Sequence, residues 1–196
     1  MKEGTTFQLT SYDKKDNPAA VIDYVVKESS GDTAVIYYDM HDEKGELVLN
    51  SEYTIICEND GISIDFRSLA APGMMEQYKD MEVDITGTNL YLPNDLSAGQ
   101  LLPDADLLMN VSMEPITMKL TVKIFNREVI GEETVTTPAG TFDCFILSQN
   151  TESKMGVKVS GSSKEWYAPE VGLVKQESYN KKGKKIGSSE LTQFSN

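Results

Sequence analysis

The sequence has few of the residues that carry most enzyme chemistry. Among 196 residues there are one histidine, His41, and two cysteines, Cys57 and Cys144. A Ser–His–Asp or Cys–His arrangement would have to use His41, which lies in a predicted turn, and no serine occupies a Gly-x-Ser-x-Gly elbow. One histidine and two distant cysteines cannot supply a tetrahedral zinc set with the usual spacing. The sequence therefore favours a protein with no catalytic residues, no metal and no cofactor.

Positive charge and long apolar runs are also scarce. Lys and Arg number 18 against 31 Asp and Glu, which gives a formal net charge of −13. Such a charge repels phosphate backbones, so we expect no nucleic-acid partner. No apolar run approaches the ~20 residues of a transmembrane helix, so no transmembrane segment is predicted. No signal-peptide pattern precedes the first strand, and we expect either a cytoplasmic protein or a mature form whose leader was removed.

Most of the sequence alternates apolar and polar residues with a period of two, separated by polar turns. This pattern is typical of antiparallel strands with one buried face. In Met118–Ile124 the alternation is regular, and its phase slips at Phe125, which predicts a β-bulge near Asn126 and Arg127. Further strand candidates are Gly4–Tyr12, Ala19–Glu28, Thr33–Met40, Leu47–Glu58, Ile62–Phe66, Val157–Tyr167, Gly172–Asn180 and Lys185–Phe194. We predict an all-β fold in one domain, residues 1–196, as a strongly curved antiparallel sheet or open barrel.

One stretch departs from this pattern and predicts a short helical cap at Met74–Tyr78. Methionines there and on the neighbouring strands suit an irregular apolar surface, because methionine is flexible and polarisable. They serve either as ordinary core filling or as the lining of an apolar groove between cap and sheet. The residues expected to line such a groove are Leu69, Met74, Met75, Tyr78, Met109 and Met113.

The two cysteines leave a further alternative open. A disulfide between Cys57 and Cys144 would close a long loop and contribute about 4–5 kcal/mol through chain entropy. It requires an oxidising compartment. Two buried free thiols are the other interpretation.

Several motifs together resemble a known family. Thr137–Cys144 forms a Thr-Pro-Ala-Gly-Thr-Phe turn and strand, and Glu165–Lys175 contains Trp-Tyr and Val-Gly-Leu-Val-Lys. With Asn89–Leu96, Gly99–Asp104 and Asn126–Gly131, these segments are similar to the TapB-like family of functionally uncharacterised envelope proteins of Bacteroides-type bacteria. The resemblance implies a periplasmic, outer-membrane-anchored or secreted protein, with a fold like the open barrels of LolA and LolB, and no assigned catalytic residues.

The functional hypothesis from the sequence is a non-enzymatic envelope or secreted protein that binds an apolar, lipid-like ligand or a partner protein. One alternative is a structural or adhesive module that assembles through the terminal strand Lys185–Phe194 as an exposed edge. Another is a carboxylate-dependent glycoside hydrolase that uses Glu165, which lies beside the aromatic residues Trp166 and Tyr167.

Overall fold

The fold is known from a computed structural model that describes residues 2–65, 82–113 and 116–196, and these form one antiparallel sheet. Its strands are β1 (Thr6–Asp13), β2 (Pro18–Ser30), β3 (Thr33–Asp42), β4 (Leu47–Cys57), β5 (Gly61–Ile64), β6 (Glu82–Thr88), β7 (Leu90–Pro93), β8 (Leu101–Leu102), β9 (Ala105–Met113), β10 (Ile116–Thr137), β11 (Gly140–Met155), β12 (Val157–Ala168), β13 (Gly172–Asn180) and β14 (Lys185–Ser195). None of the described residues forms a helix long and apolar enough to span a bilayer. The helical cap predicted at Met74–Tyr78 lies outside the described residues.

The sheet curls into a nearly closed barrel with one unsealed seam. Its strand order is β6-β9-β10-β11-β12-β13-β14-β1-β2-β3-β4-β5-β7, with β8 paired to β10. The consecutive strands β6 and β7 thus lie at the two ends of this order, where β6 pairs with β9 and β7 pairs with β5. The chain therefore changes partner at Asn89. At Gly61 a Cβ atom would lie 2.5 Å from the Leu92 carbonyl oxygen, so only glycine permits this close approach of β7.

The predicted all-β open barrel is confirmed, and so is the predicted bulge. The register of β10 against β11 shifts between Phe125 and Glu128, and Asn126 adopts a positive φ of 53°. Asparagine tolerates this left-handed conformation better than most residues, because its short polar side chain bonds locally. The alternation that breaks at Phe125 in the sequence therefore marks a real irregularity of the strand.

The prediction that Lys185–Phe194 is an exposed edge strand is wrong. Strand β14 pairs with β13 on one side and with β1 on the other. Barrel curvature brings the first and last strands together, with Thr6 opposite Ser195, so position at the end of the sequence does not mean position at the edge of the sheet.

Apolar residues are buried on both faces of the sheet. On the inner face, Val26, Ala34, Ile36 and Ile55 form one cluster, and Leu102, Val129 and Leu147 form another. On the opposite face of β11 and β12, Cys144 and Trp166 pack with Ala168 and Val174. The strand after Gly140 thus buries apolar side chains on both of its faces.

Candidate functional site

The inner face is identified by contacts between strands that are distant in the sheet order. Leu92 of β7 packs against Leu102, Val129 and Leu147, which belong to the β8, β10 and β11 side of the seam. Residues directly opposite in an antiparallel ladder share a face, and alternate residues of a strand share a face. Leu147 lies opposite Glu165, so Glu165 also points inward, whereas Trp166 points to the other face.

A hydrogen-bonded polar network occupies the centre of the inner face, around Glu165. Its Oε1 accepts hydrogen bonds from Gln149 Nε2 at 2.8 Å, Gln176 Nε2 at 3.0 Å and Ser163 Oγ at 3.1 Å. Its Oε2 accepts one from the Tyr167 hydroxyl at 2.8 Å. Glu165 is only 6% exposed. A carboxylate has about four acceptor positions, so protein donors occupy almost all of this one.

Arg127 extends the network to the seam. Its Nε donates to Gln149 Oε1 at 3.2 Å, and its Nη1 donates to the backbone carbonyls of Tyr91 and Pro103, each at 2.8 Å. Tyr91 belongs to β7, on the far side of the seam. The Arg127 side chain therefore joins β10 to β7 where no strand ladder does, and the bulge at Asn126 sets its position.

Burial governs the protonation of this network. Desolvation lowers the pKa of Arg127, and the nearby Tyr167, Glu165 and Asp104 oppose that shift. Burial, and then the neighbouring Glu165 carboxylate, raise the pKa of Tyr167 well above its usual value. Because donors surround the Glu165 oxygens, this arrangement suits structural bracing better than proton transfer to a substrate. Sequence reasoning singled out Glu165 but missed Arg127 and Gln149, and the bulge was the one local signal at Arg127.

An apolar surface lies on the same inner face, farther along the strands. Met118 and Leu120 of β10, Met155 of β11, and Val157 and Val159 of β12 share this face, since Leu120 lies opposite Met155 and Met155 opposite Val157. We call these five residues the rim strip. Val157 is 76% exposed, Val159 63%, Met155 57% and Met118 38%.

The rim strip continues onto buried residues of β9. Met109 lies opposite Leu120, and Val111 lies opposite Met118; both are 3% exposed. Of the residues predicted to line an apolar groove, Met109 therefore lies beside the rim strip on the same face. The side chain of Met113 at the end of β9 is not described, and Leu69, Met74, Met75 and Tyr78 lie outside the described residues.

Both cysteines are free thiols in the structure, on β4 and β11. Burial raises the pKa of Cys144 to about 11, with the Asp143 and Glu133 carboxylates adding to the effect. Such a thiol is almost entirely protonated at neutral pH and is a poor nucleophile.

His41 lies on β3 and not in the turn predicted for it. Its Nδ1 is 3.6 Å from Asp23 Oδ2. Within the described ranges, no group of three or more His, Cys, Asp or Glu side chains is placed to hold a metal ion.

These features define a class of protein, the all-β open barrel with a braced interior. Within that class, the chain belongs to the DUF3108-like family, whose model matches residues 2–191. No curated protein matches the chain.

Two crystal structures have similar folds. One is a protein from Bacteroides fragilis NCTC 9343, inferred to be exported and described as having a YmcC-like fold. It matches with a TM-score of 0.77 and 21% identity, over 100% of this chain and 97% of that one. The other is a protein from Parabacteroides distasonis ATCC 8503, inferred to be a lipoprotein. It matches with a TM-score of 0.76 and 27% identity, over 99% of this chain and 96% of that one.

Proposed function

We propose that this protein is a non-enzymatic envelope protein that binds an apolar, lipid-like ligand on the rim strip. The observation that carries the proposal is the exposure of Met155, Val157 and Val159 on the inner face of the barrel. Monomeric proteins rarely expose large contiguous apolar patches, and such patches commonly mark binding sites. Dispersion contacts and exclusion of water supply the affinity at such a site, so it needs no reactive group.

The similar proteins support an envelope location. The Parabacteroides relative is inferred to be a lipoprotein, and the Bacteroides one to be exported. The sequence resemblance to TapB-like envelope proteins, and the LolA- and LolB-like open barrel that this resemblance implies, agree with this location and with carriage of a lipid. We infer a protein that is periplasmic, secreted or anchored to the outer membrane.

The polar network favours this function over a glycoside hydrolase. Hydrolysis of a glycosidic bond requires one carboxylic acid to donate a proton and a second carboxylate to act on the substrate. The Glu165 oxygens instead accept four hydrogen bonds from the barrel itself. The edge-strand module loses its support as well, because β14 is paired on both sides.

Binding is tested with Nile red, an uncharged dye whose fluorescence rises in apolar surroundings. We expect the wild-type protein to bind it and Val159→Asp to weaken that binding about ten-fold or more, because a carboxylate in an apolar site pays an unrecovered desolvation cost. Ser162→Asp is the matched control: it adds the same charge on the same strand, but on the opposite face, and it should leave the affinity unchanged. A wild-type protein that gives no dye response, or equal losses in both variants, contradicts the proposal.

A further inference from the structure

Neutral polar side chains lie beside the rim strip on the same inner face. Thr151 and Ser153 of β11 precede Met155 at alternate positions, with Ser153 opposite Val159. Ser163 of β12 lies opposite Ser178 of β13. We call Thr151, Ser153, Ser163 and Ser178 the polar row. Ser163 donates to Glu165, whereas the other three take no part in the Glu165 network.

Charge is almost excluded from this face. Of the described residues of β9 to β13 that share it between Ala105 and Val129 and between Phe145 and Asn180, only Arg127 and Glu165 are charged. Those two are tied into one network through Gln149. The alternate positions, on the other face, carry many charges, among them Lys119, Lys123, Glu152, Lys154, Lys158 and Lys164.

The absence of available charge limits what the site can accept. Among the described side chains of this face, a charged headgroup brought against the polar row would lose water and find no free counterion. Glu165 already accepts four hydrogen bonds, and Arg127 already donates to two backbone carbonyls and to Gln149. Desolvating an unpaired charge is costly, whereas a hydroxyl group exchanges its water for the hydroxyls of Thr151 and Ser153 at little cost.

Resting on the proposed function, we infer that the ligand is an amphiphile with an aliphatic tail and an uncharged, hydroxyl-bearing head. The tail lies on the rim strip, and the head lies on the polar row. Glycerol esters and glycolipids with uncharged sugars belong to this chemical class, whereas fatty acids and cationic lipids do not.

The test is displacement of Nile red from the wild-type protein by three ligands that share a dodecyl tail, all below their micelle concentrations. Glycerol monododecanoate has a neutral head, dodecanoate an anionic head and dodecyltrimethylammonium a cationic head. We expect the glycerol ester to displace the dye at about ten-fold lower concentration than either charged ligand. If the dye never binds, the proposed function fails. If it binds and the three ligands compete equally, or a charged one competes best, the ligand class alone is wrong.

A variant links this selectivity to the polar row. Ser153→Lys places an ammonium group beside Val159 and should improve competition by dodecanoate relative to the glycerol ester about ten-fold, through a partly desolvated ion pair. Ser162→Lys adds the same charge on the opposite face of β12 and should leave the preference unchanged. Equal shifts in both variants would show that net charge, and not the polar row, sets the preference, and would overturn the assignment.

Discussion

The centre and the rim of the inner face differ in which side chains are buried and which are exposed. At the centre, polar groups are buried and hydrogen-bonded to one another, as Glu165 is to its four donors. At the rim, apolar groups are exposed, as Val157 is at 76%. Both regions belong to the same strands and the same side of the sheet.

The difference separates the part of the barrel that holds the fold from the part that is free to bind. A saturated polar network fixes strand geometry but offers little to a ligand, because its hydrogen-bonding capacity is already used. An exposed apolar strip adds little to the stability of the fold. Covering it with a ligand lowers the free energy, because apolar surface is removed from water. Substitutions in the two regions should therefore separate stability from binding.

The largest expected effect comes from removing the positive charge at the centre. Arg127→Met leaves Glu165 without its buried counter-charge and the carbonyls of Tyr91 and Pro103 without their donor. We expect a loss of about 3–5 kcal/mol in the free energy of unfolding, measured by urea denaturation. Lys164→Met, an exposed position on the outer face of β12, is the matched control and should cost less than about 0.5 kcal/mol.

Combining that change with Glu165→Leu sharpens the test. Removing both charges leaves no unpaired ion, so the double variant should be less destabilised than the sum of the single ones by about 1–3 kcal/mol. Strict additivity would mean that the two side chains are not coupled through Gln149.

A smaller effect on the free energy of unfolding is expected at alkaline pH, from the ionisation of an interior tyrosine, Tyr24. Tyr24 stacks on Phe7 with ring centroids 4.5 Å apart, and burial raises its pKa to about 12. Tyrosine in an unfolded chain titrates near about 10, so between these values the unfolded chain loses a proton that the native protein keeps. The stability from this burial is complete below pH ~10 and is lost as the pH rises through about 12.

Tyr24→Phe isolates that contribution. In this pH range, one such tyrosine lowers the free energy of unfolding by up to about 1.4 kcal/mol per pH unit. The variant should therefore show a shallower fall in stability, measured by chemical denaturation at several pH values. An unchanged slope would mean that Tyr24 titrates alike in both states.

The smallest effect on stability is expected at the rim. Val157→Ala should change the free energy of unfolding by less than about 0.5 kcal/mol, since the side chain is already in water. Val129→Ala removes the same atoms from a residue that is 0% exposed and should cost about 2 kcal/mol. Denaturation of the two variants under the same conditions makes the comparison, and a large loss at Val157 would show that the rim strip is part of the folding core.

The sequence was sufficient to predict most strands, because local alternation records which face of a strand is buried. Gly172–Asn180 was predicted with its observed limits, and the bulge at Asn126 was visible as a change of phase. These features depend on a few neighbouring residues, so a local pattern can reveal them.

The closure of the barrel and the Glu165 network could not be predicted from local alternation in the sequence. Arg127 bonds Tyr91 across the seam, and Gln149 links Arg127 on one neighbouring strand to Glu165 on the other. Such contacts are set by strand order and curvature, which alternation does not encode. Because strand order could not be derived from the sequence, β14 was wrongly assigned as an edge strand.

The change of partner at Asn89 has a mechanical consequence. In a barrel whose strands are all paired in a continuous ring, enlarging the circumference requires breaking a complete ladder of backbone hydrogen bonds. Here β6 is bonded to β9 and β7 to β5, and among the described strands no backbone ladder joins these two edges to each other. The barrel is therefore held at the seam by the covalent link at Asn89, by the packing of Leu92 and by the hydrogen bond from the Arg127 side chain to Tyr91, and not by a ladder of backbone hydrogen bonds.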